Sequence, residues 1–148
     1  METREDLLAL ENQLCFALVT AARNVVAIYR PVLEPLGLTH PQYLVMLALW
    51  EQEPRSLAAL ADELAMEPAT LSPLVKRLEG QGRVVRRRAA EDERVLEIGL
   101  TDEGRALRAQ ALEVPGQILA RTGIDAAAVA SLRDALTRFA GRRSDAVG

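Results

Sequence analysis

The sequence predicts a mainly α-helical chain with one small β-hairpin, and three observations predict it. Apolar residues recur at helical spacing through both ends of the 148-residue chain. Near the middle, two short helical patterns are joined by a tight turn. Directly after them, two short β-branched runs flank a polar turn. Two such helices followed by a hairpin describe a winged helix-turn-helix, and the longer patterns on either side read as N- and C-terminal dimerisation helices. The expected division is 1–36 for the N-terminal dimerisation helix carrying Cys15, 37–100 for the winged module and 101–148 for the C-terminal dimerisation helices.

The first thirty residues read as one helix. Leu7, Leu10, Leu14, Leu18, Ala21, Val25 and Ile28 form a stripe, with Thr3 as N-cap and Pro31 as the stop. Phe16, Val19, Ala22, Val26 and Tyr29 make the other sides apolar too, so the helix needs cover on more than one side, which a partner subunit can supply. A second helix follows Gly37, with Thr39 and Gln42 at capping-box spacing and Pro41 in its first turn, and it ends at Glu53-Pro54. Ser56 caps a short helix, LAALADEL; after the turn Ala65-Met66-Glu67, Pro68 opens a helix reaching Gly82. There Leu71, Leu74, Val75 and Leu78 belong to the core. Ala69, Thr70, Ser72, Pro73, Lys76 and Arg77 face outward, the small or basic side chains that reach base edges and phosphates.

Residues 84–88 and 95–98 form the hairpin strands, with Arg86 and Arg88 on the wing. Arg94 lies beside the tip, placed for the narrow minor groove and braced by Asp92. From Thr101 the chain is helical again, breaks at Pro115-Gly116, and resumes after the cap Asp125 with Val129, Leu132, Leu136 and Phe139.

Net charge is −3, yet its distribution matters more than its sum. Residues 1–64 hold four arginines against nine acidic side chains, whereas 76–88 hold Lys76, Arg77, Arg83, Arg86, Arg87 and Arg88 against Glu79 alone. A compact basic segment on an acidic body is the footprint of a duplex-DNA binder; the bland reading is a solvated charge run. An aromatic share of 3% argues against a stacking platform for single strands. The acidic start is unlike a signal peptide and no apolar run approaches a membrane span, so a cytoplasmic protein is expected. A lone cysteine excludes an intramolecular disulfide and a multi-cysteine metal site, and no cofactor or metal is expected.

Cys15 has two readings: a small hydrophobe on an apolar helix, or a reactive thiol. No cation stands within a helical turn of it, and Glu11 is one turn before. The helix dipole reaches it only if the helix begins nearer Leu10 than Thr3. Tyr29 and His40 can hydrogen-bond a thiolate only through tertiary contact; His40 reads equally as a surface residue of the capping box.

The segments LENQLCFALVTAARNVVAIYRPVLEPLGLTHPQYLVMLALWE and TLSPLVKRLEGQGRVVRRRAAEDERVLEIGLTDEG resemble the MarR family, specifically its organic hydroperoxide resistance repressors, over residues 10–118. The resemblance implies a homodimeric repressor of a near-palindromic operator, released in oxidative stress when organic hydroperoxides oxidise Cys15. Tyr29 matches one of the tyrosines that the family sets around its cysteine. His40 and Val19 stand where others are expected, and Glu67-Pro68-Ala69 replaces the usual cap of the DNA-reading helix. Two-cysteine members use a C-terminal resolving thiol. With none here, the resemblance implies that a sulfenic acid is capped by a small thiol such as bacillithiol, mycothiol or glutathione, or is over-oxidised. Two other functions compete. One is a regulator of the same fold released by a phenolic or other apolar ligand, with Cys15 incidental. The other is a thiol peroxidase, which has no use for a basic wing and would lack an arginine near Cys15 in sequence. The leading expectation is therefore a regulator and not an enzyme.

Overall fold

The structure is a computed structural model that describes residues 3–140. Its elements are α1 (Leu14–Leu33), α2 (His40–Glu51), β1 (Arg55–Ser56), α3 (Leu57–Glu63), α4 (Pro68–Gly80), β2 (Val84–Arg88), β3 (Leu96–Leu100), α5 (Asp102–Ala111), α6 (Val114–Thr122) and α7 (Ala126–Ala140). The chain is mainly helical with one small antiparallel sheet of order β1-β3-β2. Arg86 faces Ile98 in the hairpin ladder, and Arg55 faces Ile98 from the other edge.

Local capping chemistry sets most of the helix ends. Thr39 accepts from the Gln42 N–H at 3.3 Å while the Gln42 side chain accepts from the Thr39 N–H at 3.0 Å, the reciprocal capping box expected from the spacing. Ser56, Thr101 and Asp125 accept from the N–H groups of Ala59, Gly104 and Ala128. At the other end of α4, Gly82 takes φ +77° while its N–H reaches the Glu79 carbonyl and the Arg83 N–H reaches that of Leu78. This is a Schellman stop, and glycine enters its left-handed position without a Cβ clash.

The first helix departs from expectation at both ends. Thr3 does not cap α1; it forms a reciprocal hydrogen-bonded pair with Asp6, the first residue of a separate 3₁₀ turn, Asp6–Leu8. A second 3₁₀ turn, Leu10–Asn12, follows. Extended backbone at Ala9 and Gln13 interrupts the helix there, so α1 begins only at Leu14. Pro31 does not stop it. The ring removes one ladder bond, but the helix continues because Val32 and Leu33 bury completely in the core. By length and composition, Leu14–Leu36 is apolar enough to cross a membrane, which corrects the expectation that no run approaches that length. Its last residues are buried in the protein core, while the exposed remainder carries Arg23 and Arg30.

At the centre of the core lies α2, apolar on all sides, with Tyr43, Val45, Met46, Ala48 and Leu49 buried. Around it pack the end of α1, Leu60 of α3, Leu71, Val75 and Leu78 of α4, Ile98 of the sheet, and Leu107 and Val114. Leu74, expected in the core, is only half-buried. The Trp50 indole donates to the Gly104 carbonyl at 2.9 Å, fastening α2 to α5. Large apolar residues remain exposed at both ends of the chain: Leu8, Leu10, Leu14 and Phe16 at one, Leu132 and Phe139 at the other.

Candidate nucleic-acid interface and cysteine site

Ser56 starts α3, and a second Schellman stop ends it: the Ala65 N–H bonds to the Asp62 carbonyl and the Met66 N–H to that of Ala61, with Ala65 at φ +54°. Pro68 then opens α4, whose inner face is locked by Leu71, Val75 and Leu78. The burial of those three turns Ala69, Thr70, Pro73, Lys76 and Arg77 to solvent, as expected; Ser72 is half-buried.

On the wing, the Ala89 N–H bonds across to the Val95 carbonyl and closes the tip. There Asp92 Oδ1 accepts from the Arg94 N–H at 3.0 Å and from its Nε at 3.1 Å, while Oδ2 accepts from a terminal guanidinium nitrogen at 3.2 Å. Those bonds hold the Asp92 carboxyl below its ordinary value, the side-chain ones first. The Arg94 side chain is 90% exposed yet oriented, as the brace between the two predicts. Arg88 is exposed.

Arg86 is different. Its Nε and terminal nitrogen lie 3.1 and 3.0 Å from Glu79 Oε1, and its N–H donates to Glu79 Oε2 at 2.8 Å. The backbone bond first, then the side-chain ones, hold the Glu79 carboxyl below its ordinary value. Arg86 therefore ties wing to helix, a use that charge counting does not reveal. Arg83, also counted in the basic segment, is half-buried, and its terminal nitrogen reaches the Leu36 carbonyl.

Cys15 is exposed and stands in the first turn of α1, which contains no acidic residue, so the late helix start brings it under the dipole. Tyr29 and His40 meet edge to face, with ring centroids 4.9 Å apart. Tyr43, legible in the sequence only as part of an apolar run, joins them at 5.9 Å from Tyr29; its i, i+3 spacing from His40 on α2 is the signal that could have found it. Burial raises both tyrosines and lowers His40 below its ordinary 6.5. Fourteen residues along one helix separate Cys15 from Tyr29 by about 21 Å, so a single chain does not bring them together. Beside His40 opens a cleft of about 700 Å³ between α1, the start of α2 and α4, with Val26, Arg30, Glu34, Arg77 and Gln81 among its walls.

A helix-turn-helix with its outer face free, joined to a braced basic hairpin, defines a winged-helix DNA-binding protein. The chain matches the family described as transcriptional regulator SarA/Rot over residues 27–110. It is 43% identical to the organic hydroperoxide resistance transcriptional regulator of Bacillus subtilis (strain 168), over 80% of this chain and 81% of that one. Among solved structures it resembles AbfR of Staphylococcus epidermidis, reduced and bound to DNA (TM-score 0.70, 38% identity, 76% of this chain and 78% of that). It also resembles overoxidised AbfR bound to DNA (0.71, 33%, 93% and 99%). CouR from Rhodococcus jostii RHA1 bound to p-coumaroyl-CoA is similar as well (0.72, 31%, 87% and 92%). The chain belongs to the MarR family of winged-helix transcriptional regulators, in its organic hydroperoxide resistance branch, and carries a single cysteine.

Proposed function

We propose that the protein is a homodimeric repressor of a near-palindromic operator, released when an organic hydroperoxide oxidises Cys15. The observation that carries this reading is the position of the one thiol: exposed, in the first turn of α1, beside Leu14, Phe16 and Val19, which are also exposed among the described residues. In a two-fold dimer, residue i of one subunit meets residue j of the other and the reverse. Antiparallel α1 helices would thus bring Cys15 of each subunit to the Tyr29–His40 pair of the other, which the separation within one chain forbids. Ala69, Thr70, Ser72, Pro73, Lys76 and Arg77 would read or position the major groove, with Arg88 and the Asp92-braced Arg94 at the minor groove. Arg86 would act through the wing's placement. Operator binding puts the protein in the cytoplasm.

In the switch, the Cys15 thiolate attacks the terminal peroxide oxygen. An S–O bond forms, the O–O bond breaks, and the departing alkoxide takes a proton, leaving a sulfenic acid and an alcohol. A small thiol then condenses with the sulfenic acid, forming a disulfide and releasing water. The adduct is the favoured releasing species, because overoxidised AbfR is bound to DNA in its structure. Its bulk would displace α1 and move the two reading heads out of register.

The test is operator binding by wild type and Cys15→Ser, with and without cumene hydroperoxide plus a small thiol. Only the wild type should lose the operator. A Cys15→Ser protein that is released as readily as wild type would favour the second reading, a ligand-released regulator. The cleft walled by Arg30 and Arg77, and the likeness to CouR bound to p-coumaroyl-CoA, support that reading. Peroxide turnover without duplex binding would revive the peroxidase.

A further inference from the structure

Three elements meet at the turn that ends α4. On one side, the Thr101 hydroxyl donates to the Gly82 carbonyl at 2.6 Å and the Thr101 N–H donates to the Arg83 carbonyl at 3.1 Å. Gly104 of α5 presses on the same backbone so closely that an added Cβ would lie 2.0 Å from the Arg83 oxygen. On the other side, a terminal nitrogen of Arg83 donates to the Leu36 carbonyl and the Gln81 amide donates to that of Gly37, both at 3.4 Å. The turn is thus rigid toward α5 and loosely held toward the end of the first helical segment, which comprises α1 and the 3₁₀ turn Glu34–Leu36 that follows it. Arg83 Nε is also buried with no partner, unlike the other buried side-chain nitrogens and oxygens of the described residues. An arginine held by one long bond, with its Nε buried and without a partner, is poised to change partners when its neighbour moves.

We propose that Arg83 is a positioning residue: its contact with the Leu36 carbonyl sets the angle of α4 against the first helical segment, and so the separation of the two DNA-reading helices in the dimer. Displacement of α1 reaches α4 through this contact, since Leu36 and Gly37 follow α1 directly. Arg83, counted by charge with the basic segment, thereby joins the frame that spaces the heads. The inference rests on the two-headed reading of the protein, and its test keeps the two apart.

A duplex selected by the wild-type protein from random sequence serves as the probe, with versions carrying one half-site or a spacer altered by one base pair. Arg83→Met keeps the apolar stem and removes the guanidinium. It should bind the single half-site as wild type does, bind the full site at least about tenfold more weakly, and discriminate less between spacers. Arg83→Lys, which can still donate to the carbonyl, should recover part of the discrimination. Undiminished spacer discrimination in Arg83→Met overturns the proposal. So does an equal loss on the half-site, which would mark a DNA contact or a damaged head. Should Arg83→Met fail to fold, Gln81→Met, which removes the companion bond to Gly37, must lower discrimination in the same direction or the proposal falls. A wild-type protein that sediments as a monomer and ignores spacing would instead sink the two-headed reading.

Discussion

Arg94 and Arg86 belong to one hairpin, yet their neighbours assign them opposite tasks. Arg94 projects from the tip with its guanidinium oriented by Asp92, whose depressed carboxyl stays ionised throughout the neutral range. An exposed arginine held in one orientation enters a groove with less entropy to lose. Arg94→Ala should therefore weaken operator binding by about 1–3 kcal/mol at fixed salt, and Asp92→Asn by less. Unchanged affinity in fluorescence anisotropy would remove Arg94 from the interface. His40 supplies a prediction about pH. Burial lowers it below 6.5, so the unfolded chain binds the proton more readily than the folded one. The stabilisation from keeping it neutral is complete above 6.5 and is lost as pH falls through the lower folded value. Urea denaturation should show stability declining below 6.5, before Glu79 and Asp92, held below 4.5 and 3.8, begin to protonate. A His40→Gln protein should lack that decline, and an identical profile in both proteins would contradict the assignment.

Elements whose ends depend on side chains a few residues away are legible in the amino-acid sequence. Thr39 with Gln42, Ser56, Thr101 and Asp125 all cap as their spacing says, because a cap is a contact within one turn. What is not legible depends on distant burial. Pro31 sits inside α1 because Val32 and Leu33 must reach the core, and β1 is strand only because β3 passes beside it. The outward face of α4 is readable from its period, whereas the inward turns of Arg83 and Arg86 follow from Leu36 and Glu79, remote or across a turn. Ala65 shows the same division. Its turn follows from the sequence, but its φ of +54° does not, and an alanine there carries a Cβ clash that glycine lacks. Ala65→Gly should stabilise the protein by about 0.5–1 kcal/mol, net of the extra freedom it gives the unfolded chain. Thermal and urea unfolding would read the gain directly. A loss of stability would mean that the αL position is not strained.

At the scale of the whole molecule, the surface itself argues for a partner. Leu10, Leu14 and Phe16 of the N-terminal segment and Leu132 and Phe139 of α7 are all exposed, and large apolar residues grouped in this way are uncommon on soluble monomers. Two copies joined through these ends would carry two winged modules on one frame, and the second half-site would then bind at high effective concentration. A Leu132→Lys, Phe139→Lys protein should therefore sediment as a monomer where the wild type is a dimer. Its operator affinity should fall about a hundredfold or more, while weak salt-sensitive binding through one head survives. Wild-type unfolding should shift to higher temperature with protein concentration, and the variant's should not. Full operator affinity in a demonstrably monomeric variant would assign these apolar ends to some other partner and leave each head to bind DNA alone.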